Sequence, residues 1–255
     1  KMKVKLLAYT PNPERLIAQA AKLCYSPSDI EEIESKLTEK ETESFLLRLI
    51  ADDFLSPFEH VHFTFAIENI SRNTTHQLVR HRTGSFSQQS ARHVKFDPVE
   101  YIVPESFQKN EHIMKIFDGL IKDTSQAYQD ITTELLLQQI DIYIKNHGLN
   151  DMNVSEFRVE YPKLYRKFEK YAIEDARSVL MTSLSSKIVI TMDARNLFNF
   201  FNLRCCKKAQ LEIREVAWEM LKQVKEIAPI IFSQAGARCA KGLCHECNIK
   251  YQIAE

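Results

Sequence analysis

The sequence predicts an α+β fold: a single domain of mixed helices packed on a short, mostly antiparallel sheet. Three observations predict it. Apolar and polar residues alternate over Lys1–Tyr9, Glu59–Asn69 and Ser183–Thr191, the period of half-buried strands. Longer stretches between and after them repeat apolar residues at helical spacing. No low-complexity segment, internal repeat or interior linker divides the 255 residues, a length that buries one sizeable core or two modest ones.

The first strand sets Lys1, Lys3 and Lys5 against Met2, Val4 and Leu6. Pro11–Tyr25 reads as a helix, with Pro13 near its start and Leu16, Ile17, Ala20 and Leu23 along one stripe. Thr38-Glu39-Lys40-Glu41 is a capping box, in which hydroxyl and carboxylate satisfy free amides at a helix start. That helix runs to about Phe54, buries Phe45, Leu46, Leu49 and Ile50, and ends at Ser56-Pro57. In the second strand Val61, Phe63, Phe65 and Ile67 form the core face; His60, His62, Thr64, Ala66 and Glu68 form the other. His60 and His62 read as two metal ligands or as hydrogen-bonded histidines, the latter favoured because no third ligand is near. Ser71–Arg82 reads as a helix, after which Gly84 lets the chain turn. Pro98 and Pro104 bracket a connector, helical spacing is sustained from Glu111 to Asn146, and His147-Gly148 closes it. Glu169–Leu180 is a further helical stretch. The third strand aligns Leu184, Ser186, Ile188 and Ile190, and Asp193–Ile227 is helical, broken near Cys205 and stopped by Pro229.

Apolar content of 44% and charged content of 27% are ordinary for a soluble globular protein. No apolar run approaches the ~20 residues that span a bilayer and no signal peptide is read, so a cytoplasmic location is expected, with no membrane partner. Thirty-four Lys+Arg balance 34 Asp+Glu, which argues against a dedicated nucleic-acid binder. With 5 glycines and neither GxGxxG nor GxxxxGK[ST], any nucleotide is held without the Rossmann or P-loop devices. Against this neutral background Arg80–His93 concentrates three arginines, two histidines, three serines and two glutamines around Gly84, with no acid between Glu68 and Asp97. Guanidinium forks bind phosphate or carboxylate bidentately, and hydroxyls and amides add neutral hydrogen bonds. The segment suits a polar, anionic small molecule.

Asp193–Arg204 is the second informative stretch. On a helix Arg195 and Asn199 share one face, as do Arg204 and Lys208, while Leu197, Phe198, Phe201 and Leu203 face elsewhere. Asparagine is a poor helix former, so several in one helix point to a binding face. Cysteines stand at 24, 205, 206, 239, 244 and 247. Reduced thiols are the expectation, and Cys205 and Cys206 cannot easily bridge each other. Cys239, Cys244, His245 and Cys247 could ligate zinc, but only one CxxC is present; an oxidisable tail over about 233–255 is favoured and no metal is assigned.

Arg80-His81-Arg82, seven residues, then Ser90 resembles the signature of the flavin-dependent thymidylate synthases, and Arg92 agrees with it. Ser56-Pro57-Phe58-Glu59-His60, Gln77, Ala176-Arg177, Asp193-Ala194-Arg195, Asn199 and Asn202-Leu203-Arg204 are similar to further segments of that family, so the likeness spans roughly residues 50–220. Departures are Asp193 where many members have Asn, Lys208 where some have His, and Gln88 where some have Glu.

The resemblance implies one thymidylate synthase-complementing-like domain over 1–255. It implies transfer of a one-carbon unit from 5,10-methylenetetrahydrofolate to C5 of deoxyuridine monophosphate (dUMP), with FAD as hydride carrier and NADPH as reductant. It places Gln77, Arg80, Gln88, Gln89, Ser90, Arg92, Arg177 and Arg204 on dUMP, with Ser90 and Arg92 on its phosphate and Arg204 stabilising charge on the uracil. Arg204 and Ser90 are the catalytic assignments. Ser56, Arg80, His81, Arg82, Gln88, Asp193, Arg195 and Asn199 are implied as FAD contacts. The family uses no cysteine nucleophile, so Cys205 and Cys206 receive no catalytic role. A homotetramer with sites shared between subunits is implied as well. Competing readings are a phosphate- or RNA-binding module, a zinc-stabilised interaction protein, and a flavoprotein that has lost methylation.

Overall fold

The computed structural model describes residues 1–149 and 151–238. In chain order the elements are β1 (Lys3–Tyr9), α1 (Pro13–Leu23), α2 (Ile30–Lys36), α3 (Glu39–Ala51), a 3-10 turn at Ser56–His60, β2 (His62–Ser71), α4 (Arg72–Leu78), β3 (Ser85–Gln88), α5 (Glu105–Gln108), α6 (Glu111–Asn146), α7 (Val154–Glu160), α8 (Pro162–Ala176), a 3-10 turn at Arg177–Val179, β4 (Ser185–Asp193), α9 (Ala194–Arg204) and α10 (Leu211–Ile227). This is the α+β class expected. The capping box forms: Glu41 N donates to Thr38 Oγ1 at 3.3 Å and Thr38 N to Glu41 Oε2 at 3.0 Å. Asn110 Oδ1 caps α6, and Gly148 takes the left-handed φ of 67° just past its end.

Among the described residues one compact unit comprises 1–70, 74–88 and 187–238. Its sheet has the order β1-β2-β4-β3, with β1 antiparallel to β2 (Leu6 opposite Phe65) and β3 antiparallel to β4 (Phe86 opposite Ile190). Period-2 alternation delivers Phe63, Phe65, Ile67, Ile188, Ile190 and Met192 to one core, where they join Ile17, Leu46, Phe200, Phe201, Met220 and Phe232. Each such side chain contributes about 1.5–3 kcal/mol by leaving water. Where the β1 register shifts, between Leu6 and Ala8, the Gln223 side chain of α10 accepts from Leu6 N at 2.6 Å and donates to the Val4 carbonyl at 3.1 Å.

The other unit comprises residues 71–73 and 89–186. Its spine is α6, 36 residues and about 54 Å long at 1.5 Å per residue. A small core of Leu136, Ile140, Ile144, Phe157 and Ala172 joins α6, α7 and α8, with Tyr143 ringed by Phe157, Tyr161 and Phe168.

Four expectations are corrected. The helix expected over Ser71–Arg82 stops at Leu78, so the Arg-His-Arg tripeptide lies in a turn. The helix expected from Glu169 begins at Pro162, and α7 precedes it unforeseen. Lys208 lies beyond the end of α9, not on a face with Arg204. Leu203 is 45% exposed rather than part of the apolar face. The expected break near Cys205 is present, since α10 starts only at Leu211. The cysteines at 239, 244 and 247, and His245, lie outside the described residues.

Candidate functional site

The turn after α4 is shaped by tertiary packing. His81 N donates to the Leu78 carbonyl at 3.0 Å, and Gly84 N to the His81 carbonyl at 3.2 Å. A Cβ on Gly84 would stand 3.0 Å from both Met192 Cγ and Phe86 Cζ, so a larger residue would push these side chains aside by a few tenths of an ångström. Arg80 and Arg82 emerge from the turn exposed, and neither forms an ion pair among the described residues. His81 folds inward, edge-on to Phe200 at 5.0 Å between centroids.

At the last residue of α9, Arg204 Nε donates to His81 Nε2 at 3.0 Å and Nη1 reaches Gln77 Oε1 at 3.5 Å. Gln77 in turn donates to Gln210 Oε1. The imidazole accepts only if Nε2 is unprotonated. Burial, and secondly the Arg204 charge, hold His81 down to about 4, so it is neutral near pH 7. Burial also lowers Arg204, which still stays cationic.

The N-terminus of α9 is closed by Asp193. Its Oδ1 accepts from Asn196 N at 2.8 Å, and its Oδ2 from Asn196 Nδ2 at 2.5 Å. Thr83 Oγ1 then donates to Asn196 Oδ1 at 2.6 Å, tying the basic turn to the helix start. Both oxygens of the departing Asp193 are therefore occupied as a helix cap, a role Asn also performs. Arg195 pairs with Glu59 of the 3-10 turn that Ser56 begins, Asn199 is exposed, and Gln88 donates to Thr75 Oγ1 at 2.9 Å. Cys205 is buried beside this cluster, and burial pushes its thiol up to about 12.

A second group of assigned residues lies in the α6–α8 unit. Ser90 Oγ accepts from Arg92 N at 3.2 Å, and Arg92 Nε meets Glu174 Oε1 at 2.6 Å. Arg177 Nε donates to the Glu174 carbonyl at 3.1 Å. Arg72 feels burial and then the Arg177 charge, both lowering it, so two guanidinium groups approach each other here. Gln89 is half-buried. Such convergence of like charge suits a dianionic phosphate.

The structure thus joins Gln77, His81 and Arg204 directly, and in the other unit brings Ser90, Arg92 and Arg177 around Glu174. It commits Arg195 and Asp193 to protein partners. Sequence reading missed Glu59, Arg72, Thr83, Glu174, Asn196 and Gln210. Asn196 and Glu174 had a local signal, three residues from Asp193 and Arg177 on a helix, and Glu59 and Thr83 lay inside stretches already singled out without being assigned a role. The donor set fits an anionic flavin nucleotide: exposed Arg80 and Arg82 without acid partners and the exposed Ser56 and Asn199; the buried Asn202 Oδ1, with no hydrogen-bond partner, is an acceptor that suits an N–H rather than an anion.

The model of the thymidylate synthase complementing protein family matches residues 5–230. A protein of Clostridium tetani named flavin-dependent thymidylate synthase is 44% identical over 245 residues, covering 96% of this chain and 91% of its own. Its namesakes in Geobacter sulfurreducens and Pyrococcus horikoshii are 39% and 36% identical, covering 96% of this chain and 91% and 90% of theirs. A crystal structure of PolB from Streptomyces cacaoi, a UMP/dUMP methylase bound with 5-Br dUMP, shares the fold. It has a TM-score of 0.66 at 20% identity, covering 91% of this chain and 93% of its own.

Proposed function

This chain belongs to the thymidylate synthase complementing family, and from that premise we propose that it is a flavin-dependent thymidylate synthase converting dUMP to dTMP. The observation that carries the reading is the Arg204–His81–Gln77 network, a cation held at the foot of α9 beside the exposed Arg80 and Arg82.

Ser90 and Arg92 bind the nucleotide phosphate, supplying a hydroxyl and a guanidinium fork, and Arg177 and Gln89 also contact the nucleotide. Gln77, Arg80 and Gln88 orient the nucleoside. Arg204 lies against the uracil and stabilises the negative charge that develops as N3 ionises. Guanidinium does not give up its proton readily, so this help is electrostatic rather than basic. Ser56, Arg80, His81, Arg82, Gln88, Arg195 and Asn199 hold the flavin, Asp193 acting there through the position of α9. FAD, when bound, supplies the hydride and relays the one-carbon unit from 5,10-methylenetetrahydrofolate. Cys205 attacks nothing, because a thiol near 12 is almost wholly protonated at neutral pH. NADPH as reductant, a homotetramer sharing sites between subunits, one domain over 1–255 and a cytoplasmic location complete the proposal. Among the described residues no helix is long and apolar enough to cross a membrane.

The test is thymidylate formation by mass spectrometry from purified protein with FAD, NADPH, dUMP and methylenetetrahydrofolate. Product that vanishes when FAD is withheld from stripped protein is expected. Folded, FAD-loaded protein that yields no product would leave a divergent flavoprotein.

A further inference from the structure

Arg204 is a long side chain with several rotatable bonds, and electrostatic help to a planar ring demands that its guanidinium plane be fixed. Arg204 is the last residue of helix α9, and the helix backbone fixes where its side chain starts but not the plane of its guanidinium. Fixing must come from side chains. The shortest contact is the 3.0 Å bond from Nε to His81 Nε2; the Gln77 contact, at 3.5 Å, lies at the limit of a hydrogen bond. His81 is itself fixed, by its turn backbone and by the edge-on Phe200 ring. Because Nε is the inner nitrogen of the guanidinium, a bond there sets the plane while leaving the outer nitrogens with donors to spare.

We infer that His81 is a positioning residue for the pyrimidine: its neutral Nε2 accepts from Arg204 Nε and orients the outer guanidinium nitrogens toward the base. This rests on the reading of Arg204 as the uracil contact given above, and it assigns His81 a task separate from any flavin contact. It also explains the residue type. A lysine or arginine at this position would repel Arg204, and a carboxylate would neutralise the charge the uracil needs. Imidazole offers a lone pair with no net charge. The acceptor must also lie at the far end of the side chain, as Nε2 does. Glutamine places its amide oxygen at a comparable reach, asparagine falls one atom short, and phenylalanine fills the space with no acceptor.

The experiment is titration calorimetry of dUMP binding to FAD-loaded protein, with flavin occupancy of each variant read from its visible absorbance. His81→Phe is expected to weaken dUMP about tenfold, as loss of a charge-assisted hydrogen bond does, and His81→Gln to recover to within about threefold of wild type. In an Arg204→Ala background His81→Phe should cause no further loss, since the interaction is already absent. If His81→Phe does not fold, His81→Asn against His81→Gln makes the same comparison, Asn behaving as Phe would. Equal weakening by Gln and Phe at matched flavin occupancy, or additive losses in the double variant, would overturn the inference while leaving the proposed function in place. Wild-type protein that fails to bind dUMP would overturn both.

Discussion

Replacing Asp193 by Ala removes three interactions at once, and their sum can be worked from the structure. The N-cap bond from Asn196 N is worth about 1 kcal/mol. Losing the second carboxylate oxygen strands the Asn196 side-chain amide, about 1 kcal/mol more for a half-buried group. The anion at the positive end of α9 adds ~0.3–1 kcal/mol. Together these give about 2–3 kcal/mol, or a melting temperature lower by roughly 5–10 °C for a chain of this size. Asp193→Asn behaves differently. The Asn196 amide can flip so that its oxygen accepts from the introduced side-chain amide and its nitrogen donates to Thr83, whose hydroxyl accepts as readily as it donates. Only the charge–dipole part, ~0.3–1 kcal/mol, is then lost. Thermal melting and urea denaturation of the three proteins measure this. Should Asp193→Ala match wild type within about 0.5 kcal/mol, or Asp193→Asn fall as far as Ala, the capping account fails.

Other consequences are as direct. Gly84→Ala forces a methyl group within 3.0 Å of Met192 Cγ in a filled core and is expected to cost about 1–3 kcal/mol in urea titrations. His81, held down to about 4 against 6.5 when unfolded, leaves the unfolded chain binding the proton first as pH falls. Its stabilisation is therefore complete above about pH 6.5 and lost as pH falls toward 4. The gap corresponds to ~3 kcal/mol, reduced to about 1–2 by solvent reaching the half-buried ring. His81→Gln should lose less stability than wild type over that interval in parallel melts. Cys205→Ala should still form thymidylate at the wild-type rate; a silent variant that folds normally would reinstate the thiol.

Local features were legible in the sequence and distant ones were not. The Thr38–Glu41 box, the core face of β2 and the span of α6 follow from spacing within a few residues. The turn after α4 is different: Gly84 lies close to Met192, 108 positions later, and no local pattern encodes that approach. The Asn153–Glu156 box that opens α7 was present in the sequence but stands in a short, weakly periodic stretch. In the candidate site the cations and amides stood out by composition and by family resemblance. Their partners did not, because Glu59 meets Arg195 across 136 positions and His81 meets Arg204 across 123.

The Gln223 amide has a consequence for how copies of this chain can meet. Strand β1 ends the sheet, and an open sheet margin is ordinarily a template on which another chain can extend the ladder. Here a side-chain amide takes the place that an incoming peptide group would occupy, offering its own oxygen to Leu6 and its own nitrogen to Val4. Two groups of the margin are thereby satisfied from within the fold, at a register irregularity that already discourages regular pairing. An incoming strand would have to displace the Gln223 amide from Leu6 and Val4 before it could pair with β1 there.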